Sequence, residues 1–437
     1  MLRVFRNIFA MPELKNRIFF TLSMLVVFRI GAHVPIPGVD SGALQSFYAA
    51  SSLGNLISFF NTFSGGALVN LSIFALGILP YISASIIMQL MTVVFPALER
   101  IAKEGDAGRR KITQYTRYGT IVLALVQSYA ISVGIQDMRA PGGAPIVIGN
   151  LSGFFFSLVT MITLTAGTTF VMWLAEKISE RGIGNGASLI VFSGIIAGIP
   201  SGMVRTFQLI QSNELSVFLL LIVLVIIVGV TAAVVLFETA QRKIAVNYAR
   251  RMQGQQMTGG SSSYLPLKIN ASGVIPPIFA SSLLAFPSAF TAFQSSPWLR
   301  NLGTYLTPSS VVYNLIFVLL IFFFCYFYNA IQFNPVKLSE DLKRYGGFVP
   351  GIRPGEKTAQ FLNSILMYLT FIGAIYLSLV CILPNFLYAG FNIPFYFGGT
   401  SLLIVVGVAL DFSNQIETFL INQNYEGFMN RFRTRSR

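Results

Sequence analysis

Charge is scarce in this chain. Of its 437 residues only 11% are charged, whereas 54% are apolar. A soluble domain of this size carries about 25% charged residues, so lipid is the solvent for most of this surface. Histidine is nearly missing, with His33 alone, and the two cysteines, Cys325 and Cys381, stand singly in apolar runs. Such spacing supplies neither a disulfide framework nor a metal set, and it suits two small buried side chains. Phosphate-binding loops are lacking too. Gly351–Thr358 carries Glu356 where a P-loop needs an unbroken Gly-Lys-Thr, and Gly182–Gly186 sits in a short loop flanking the membrane. No cofactor and no enzymatic chemistry are expected.

What charge there is leans one way, to a net +14. About 20 apolar residues cross a bilayer, and charge-free runs mark ten such spans. They lie near Ile18–Ala32, Leu68–Pro96, Tyr118–Ile135, Ser152–Ala175, Ala187–Met203, Leu215–Phe237, Ala271–Phe290, Ser309–Phe333, Thr358–Leu383 and Gly399–Ile421. With these ten spans, 26 of the 30 basic residues fall in the two tails and alternate loops, against 3 in the intervening loops. Lys and Arg collect on the side that is not translocated, which places both ends in the cytoplasm. Residues 1–17 form a basic segment with Leu2, Phe5, Ile8 and Phe9 on one helical face, suited to the inner membrane surface. Residues 422–437 form a basic tail. The first span lacks a small-residue cleavage site, so its retention is expected.

The second span is irregular. Ser41–Leu98 is 58 residues without a charge, broken at Gly65-Gly66 and around Asn55, Asn61, Thr62 and Ser64. Leu56–Ser64 is long enough for half a span. Within a membrane such a half-helix is tolerated only where protein buries it or water reaches it. Either it occupies an internal cavity on the external side, or it is a loop folded over the external face.

A repeat adds to this. Gly77–Ser85 and Gly273–Ser281 both read G-x-x-P-x-I-x-A-S, in spans 2 and 7. The offset of five spans makes the copies antiparallel, as in an inverted repeat with halves 18–210 and 211–421. The fold expected is therefore an all-α polytopic membrane protein, ten transmembrane helices in two inverted five-helix halves, with a short half-helix before span 2. Small residues in both copies (Ser83, Ala84, Ser85; Ala280, Ser281, Ser282) permit close approach, and apolar helices in lipid gain little from contact. A seam between spans 2 and 7 could part at modest cost.

The cytoplasmic loops 238–268 and 334–357 each hold five basic residues, and Gly351-Ile-Arg-Pro-Gly355 is a turn sequence that holds side chains outward. Projecting basic loops suit an acidic partner or RNA phosphate. Three function classes stay open on these residues: a polypeptide conduit, an ion-coupled secondary transporter, and a scaffold without a pore. A transporter needs ionisable residues within the membrane. Arg29, read as snorkelling from the outer end of span 1, and Asp411, read as structurally paired, are the clear candidates.

Six stretches carry a family resemblance: Ile78–Leu90 (ILPYISASIIMQL), Arg181–Gly186 (RGIGNG), Leu265–Asn270 (LPLKIN), Gly273–Ser282 (GVIPPIFASS), Phe348–Glu356 (FVPGIRPGE) and Pro394–Val406 (PFYFGGTSLLIVV). Over essentially its whole length the chain resembles the SecY family, the central subunit of the bacterial protein-conducting channel. The resemblance implies a passive channel in the bacterial inner membrane. It would pass unfolded polypeptides and release hydrophobic segments sideways through a lateral gate at Ser83, Ala84, Ser85, Ala280, Ser281 and Ser282. Asn55, Leu56, Ile57, Ser58, Phe59, Phe60, Asn61, Thr62, Phe63, Ser64, Gly65 and Gly66 match the plug. Ile78, Ile82, Val191, Ile278 and Ile404 match the aliphatic pore ring, with Ala187 left outside it. An aliphatic constriction can exclude water and ions without a polar filter. The implied partners are SecE and SecG, the motor ATPase SecA, the ribosome, signal peptides and anionic lipid. Arg242, Lys243, Arg250, Arg251, Lys343, Arg344 and Arg353 are the residues implied to dock SecA or the ribosome.

Overall fold

The fold was examined in a computed structural model, which describes residues 11–50, 61, 64–136, 145–147, 153–212, 217–248, 251–253, 256–258, 262–292, 310–391 and 399–435. Two compact units emerge. The first comprises Met1–Glu214, Ser282–Ser310 and Ile393–Arg437, and the second Leu215–Ser281 and Val311–Asn392.

The first unit holds α1 (Pro12–Gly31), α2 (Ser41–Ala50), α3 (Leu79–Val94), α4 (Pro96–Lys103), α5 (Asp106–Gln136), α6 (Phe154–Arg181) and α7 (Gly186–Gln211). Proline stands in the first turn of α1, α3 and α4, where its missing N–H costs nothing. Asn185 caps α7, its Oδ1 accepting from the amides of Ala187 and Ser188. Pro96 forces Phe95 into an extended conformation, and the chain bends by 101° between α3 and α4.

Span 2 departs from expectation. The helix starts at Leu79 rather than near Leu68, and residues 65–78 form turns. Gly77, at φ 57°, supplies the break, and Pro80 sets the start. The turns satisfy their backbone by pairing with the chain after α1. Ile36 N donates to Leu71 O and Ile73 N to Val34 O, each at 3.0 Å. Two glycines make room for this. A Cβ on Gly31 would fall inside the Phe74 ring, and one on Gly167 would collide with the Ile73 carbonyl. The Phe74 ring stacks between Phe28 and Phe170, at 6.0 and 5.9 Å between centroids.

The second unit holds α8 (Val217–Thr239), the first turns of α9 (Ile275–Ala292), α10 (Val311–Gln332), α11 (Pro335–Arg344) and α12 (Glu356–Phe391). Segments 238–268 and 334–357, expected as cytoplasmic loops, both contribute strands. β1 (Gln241–Tyr248) pairs antiparallel with β4 (Ser262–Lys268) on one side and β5 (Gly347–Phe348) on the other. β2 (Arg251–Gln253) and β3 (Gln256–Thr258) form a hairpin between β1 and β4. The alternation needed for this is present in Ile244 and Val246, which are buried between neighbours that are not.

Among the described residues seven helices can cross a bilayer by length and composition, or eight if the bent pair α3–α4 is one span. This count does not confirm ten spans: α1 has 20 residues that include Glu13, Lys15, Arg17 and Arg29, and α9 is an apolar helix of 18 residues. The last helix, α13 (Gly399–Arg435), belongs to the first unit and continues through most of the expected tail.

Candidate functional site

Part of the expected plug lies within the described residues, namely Asn61, Ser64, Gly65 and Gly66. Asn55, Leu56, Ile57, Ser58, Phe59, Phe60, Thr62 and Phe63 lie outside them. Asn61 organises a self-contained turn. Its carbonyl accepts from Gly66 N at 3.1 Å and its Oδ1 from Val69 N at 3.1 Å. Ser64 Oγ donates to Asn61 O at 3.3 Å and accepts from Leu68 N at 3.2 Å. Every donor named is met inside the turn, as a buried backbone requires.

The turn is tied outward at Gly65. Its φ is 67°, and a Cβ there would lie 2.7 Å from the Gly194 Cα of α7 and 2.8 Å from Arg29 Nη1. Only glycine combines that backbone with so close a seat. Arg29 Nη1 donates to the Gly65 carbonyl at 2.5 Å. Arg29, half-buried, thus meets a neutral carbonyl. A guanidinium in an apolar surrounding is too costly to leave without an acceptor.

Four ring candidates are buried within the first unit: Ile78, Ile82, Val191 and Ile404. Ile78 precedes α3 by one residue, and Ile82 N donates to Ile78 O at 3.1 Å, so the two share a face. Ile278 and Ala187 are half-buried, in the second and first units. Among the gate candidates Ala84 is buried, and a Cβ on Gly119 of α5 would touch its methyl at 3.5 Å. Ala84 thus faces α5, while Ser83 and Ser85 on either side are half-buried. Ala280, Ser281 and Ser282 are all buried.

The described docking candidates lie on the strands, α11 and the loop of the second unit. Arg242 and Lys243 are exposed on β1, Lys343 and Arg344 at the end of α11, and Arg353 in the loop after β5. Arg251 lies in β2, and Arg250 lies outside the described residues. The exposed side chains stand over a rigid base. Ile244, Leu267, Val349, Leu362, Ile365, Leu366 and Leu369 form one apolar core joining both segments to α12. Thr358 Oγ1 donates to Arg353 O at 2.9 Å and Ser339 Oγ to Gly355 O at 2.6 Å, closing the loop at both ends.

Two arrangements were not expected from the sequence. One is the Arg29–Gly65–Gly194 seat, signalled only by a lone arginine in an apolar span. The other is a polar clasp where α8 ends, in which Asn270 Nδ2 donates to Glu238 Oε1 at 2.6 Å and to Gly273 O at 3.0 Å.

A sequence model of the SecY family matches residues 72–413. The protein translocase subunit SecY of Escherichia coli K12 is 48% identical over 421 residues, covering 95% of this chain and 94% of the relative. Among solved structures, one of a protein conducting channel superimposes at TM-score 0.62 with 18% identity, covering 92% of both chains. Another, of the idle yeast Ssh1 complex bound to the yeast 80S ribosome, superimposes at TM-score 0.60 with 15% identity over 93% of this chain and 90% of that one. The apolar helices, the seated turn before α3 and a relative nearly half identical along almost the whole length lead to one assignment: this chain belongs to the SecY family.

Proposed function

We propose that this chain is the channel subunit of a protein translocase, passing unfolded polypeptides across the bacterial inner membrane and releasing hydrophobic segments sideways between spans 2 and 7. The observation that carries this function is the glycine-seated turn at Asn61–Gly66. It is the end of a short segment that meets α7 at the Gly194 backbone and α1 through the hydrogen bond from Arg29, and a movable seal needs such a removable seat. Ile78, Ile82, Val191, Ile278 and Ile404 are proposed as the constriction, since branched side chains close loosely around a chain of any sequence while excluding water.

The channel is passive in this proposal. Energy comes from SecA, the translating ribosome or the proton-motive force. SecA and the ribosome dock on Arg242, Lys243, Arg250, Arg251, Lys343, Arg344 and Arg353, with SecE and SecG as companion subunits. The exposed basic side chains on a rigid sheet support the docking role, because a fixed array of cations suits phosphate or carboxylate better than a floppy one. Both termini and the sheet face the cytoplasm, and the ten spans form two inverted halves, 18–210 and 211–421.

The test is reconstitution. Purified chain with SecE-like and SecG-like subunits in proteoliposomes, given SecA and ATP, should carry a signal-bearing precursor to a protease-protected lumen. Ion-coupled uptake of a small solute with no precursor protection would overturn the proposal in favour of a secondary transporter.

A further inference from the structure

We propose that Glu238 is a positioning residue of the channel: through Asn270 its carboxylate fixes the start of α9 to the neck of the sheet, so that a partner seated on the sheet acts on α9. The action on α9 rests on reading the sheet as the docking surface.

The chain leaves α8 at Thr239 for the sheet and returns through Asn270 to α9. Three contacts close this neck. β1 and β4 pair as far as Gln241 and Lys268. Ile269 N then donates to Ala240 O at 3.1 Å, one step beyond the sheet. Asn270 Nδ2 donates to Glu238 Oε1 at 2.6 Å, the last rung and the charge-assisted one. The carboxylate stands on a firm base, since Phe237 beside it stacks on Tyr376 of α12 at 4.5 Å between centroids. Asn270 is 3% exposed, and the same amide also points forward. Nδ2 donates to Gly273 O at 3.0 Å, while Oδ1 accepts from Ser272 Oγ at 3.2 Å. Gly273, at φ 62°, turns the chain into α9 two residues later. One asparagine thus joins α8, the sheet and α9 by directional bonds, which set rotation as well as distance. α12 closes the remaining side, where a Cβ on Gly373 would lie 3.2 Å from Ile269 O.

The repeat sets this joint apart from its counterpart. Gly77 and Gly273 open the two copies, both at positive φ, 57° and 62°. Three residues before them stand Phe74 and Asn270. Phe74 is anchored by stacking on Phe28 and Phe170, but Asn270 by a carboxylate at the foot of the sheet. A helix start that needs only burial is served by the first arrangement. The second replaces stacking with directional bonds to the element that carries Arg242 and Lys243, so a load on the sheet arrives at the start of α9.

The experiment uses the full chain with its companion subunits in proteoliposomes and reads amide hydrogen exchange by mass spectrometry. Amides 278–281 bond back to the first turn of α9 and report its start; amides 242–248 report the sheet. Without a partner, Glu238→Ala should speed exchange at 278–281 about tenfold or more, the factor for losing one charge-assisted hydrogen bond. The sheet should keep the parent rate. Glu238→Gln, which keeps an acceptor oxygen, should stay near the parent. Adding Glu238→Ala to Asn270→Ala should speed exchange no further, because the shared bond is already lost. Thermal unfolding in detergent identifies any variant that has not folded. Should Glu238→Ala be one, Ser272→Ala, which frees Asn270 Oδ1 alone, should speed the same segment by a smaller factor. Exchange at 278–281 equal to the parent, or a rise shared equally by the sheet, overturns the positioning role. Adding SecA should slow exchange in the sheet of the parent and of Glu238→Ala alike, and change 278–281 in the parent only. With the sheet responding, a response at 278–281 in both chains or in neither overturns the action on α9. A parent sheet that ignores SecA refutes the docking reading, while the partner-free exchange still decides the role of Glu238.

Discussion

Ile82 stands one turn after Ile78 on α3 and is buried with it. Asparagine at position 82 would place an amide at a buried aliphatic position of the proposed constriction, at a cost of roughly 1–3 kcal/mol. We expect Ile82→Asn to raise the resting ion conductance of the channel in planar bilayers and to loosen its selection of signal sequences. Conductance equal to the parent would remove Ile82 from the constriction. Arg353 differs because its side chain is exposed. Arg353→Glu should cut SecA-driven export by about tenfold or more if one close charge contact is lost, with an unfolding temperature near that of the parent, as surface substitutions stay within about 0.5 kcal/mol. Normal ATP-dependent export would end its docking role. Both residues were named from short motifs, and their burial and exposure are what the structure adds. The partner of Arg29 could not be named in this way, since a backbone carbonyl 36 residues away has no side-chain identity for a sequence pattern to register.

The elements were legible where hydrophobicity alone decides them. α8, for example, was expected at Leu215–Phe237 and is observed at Val217–Thr239. Span 2 was misjudged because the turns before α3 are as apolar as a helix. What bends them is Gly77 together with room left by glycines on two other helices. That dependence is testable. Gly167→Ala should destabilise the protein by roughly 1–3 kcal/mol through overpacking, since its Cβ meets the Ile73 carbonyl. Gly229→Ala on α8, where nothing lies within 4 Å, should leave the unfolding temperature in detergent unchanged or slightly raised, alanine being the better helix former by about 1 kcal/mol. Equal effects at the two sites would contradict the packing described. The strands were missed for a related reason. β1 has clear alternation, but β5 has two residues, too few for any period to show.

At the scale of the whole molecule, the repeat led to an expectation of inverted halves divided near residue 210, whereas the compact units collect Ile393–Arg437 with the amino-terminal helices. Chain order and spatial grouping are separate properties, and a repeat reveals the first alone. The proposed sideways opening is a property at this scale. A cysteine pair replacing Ser85 and Ser282, one on each repeat-bearing span, should abolish export when joined by a short rigid crosslinker and restore it on reduction. Full export by the crosslinked channel would refute lateral release. Ala84 is the poorer position for such a probe, because its methyl is committed to α5.

The sheet that carries the basic residues also sets a timetable. β1 receives β4 after a short hairpin, but its other edge waits for β5, and 99 residues separate Tyr248 from its partner Gly347. During synthesis the platform therefore stands half-built while α9 and α10 are made, with the second edge of β1 unpaired. The proposed docking platform is complete only after α10 and α11 have been made, with α12 and α13 still to follow.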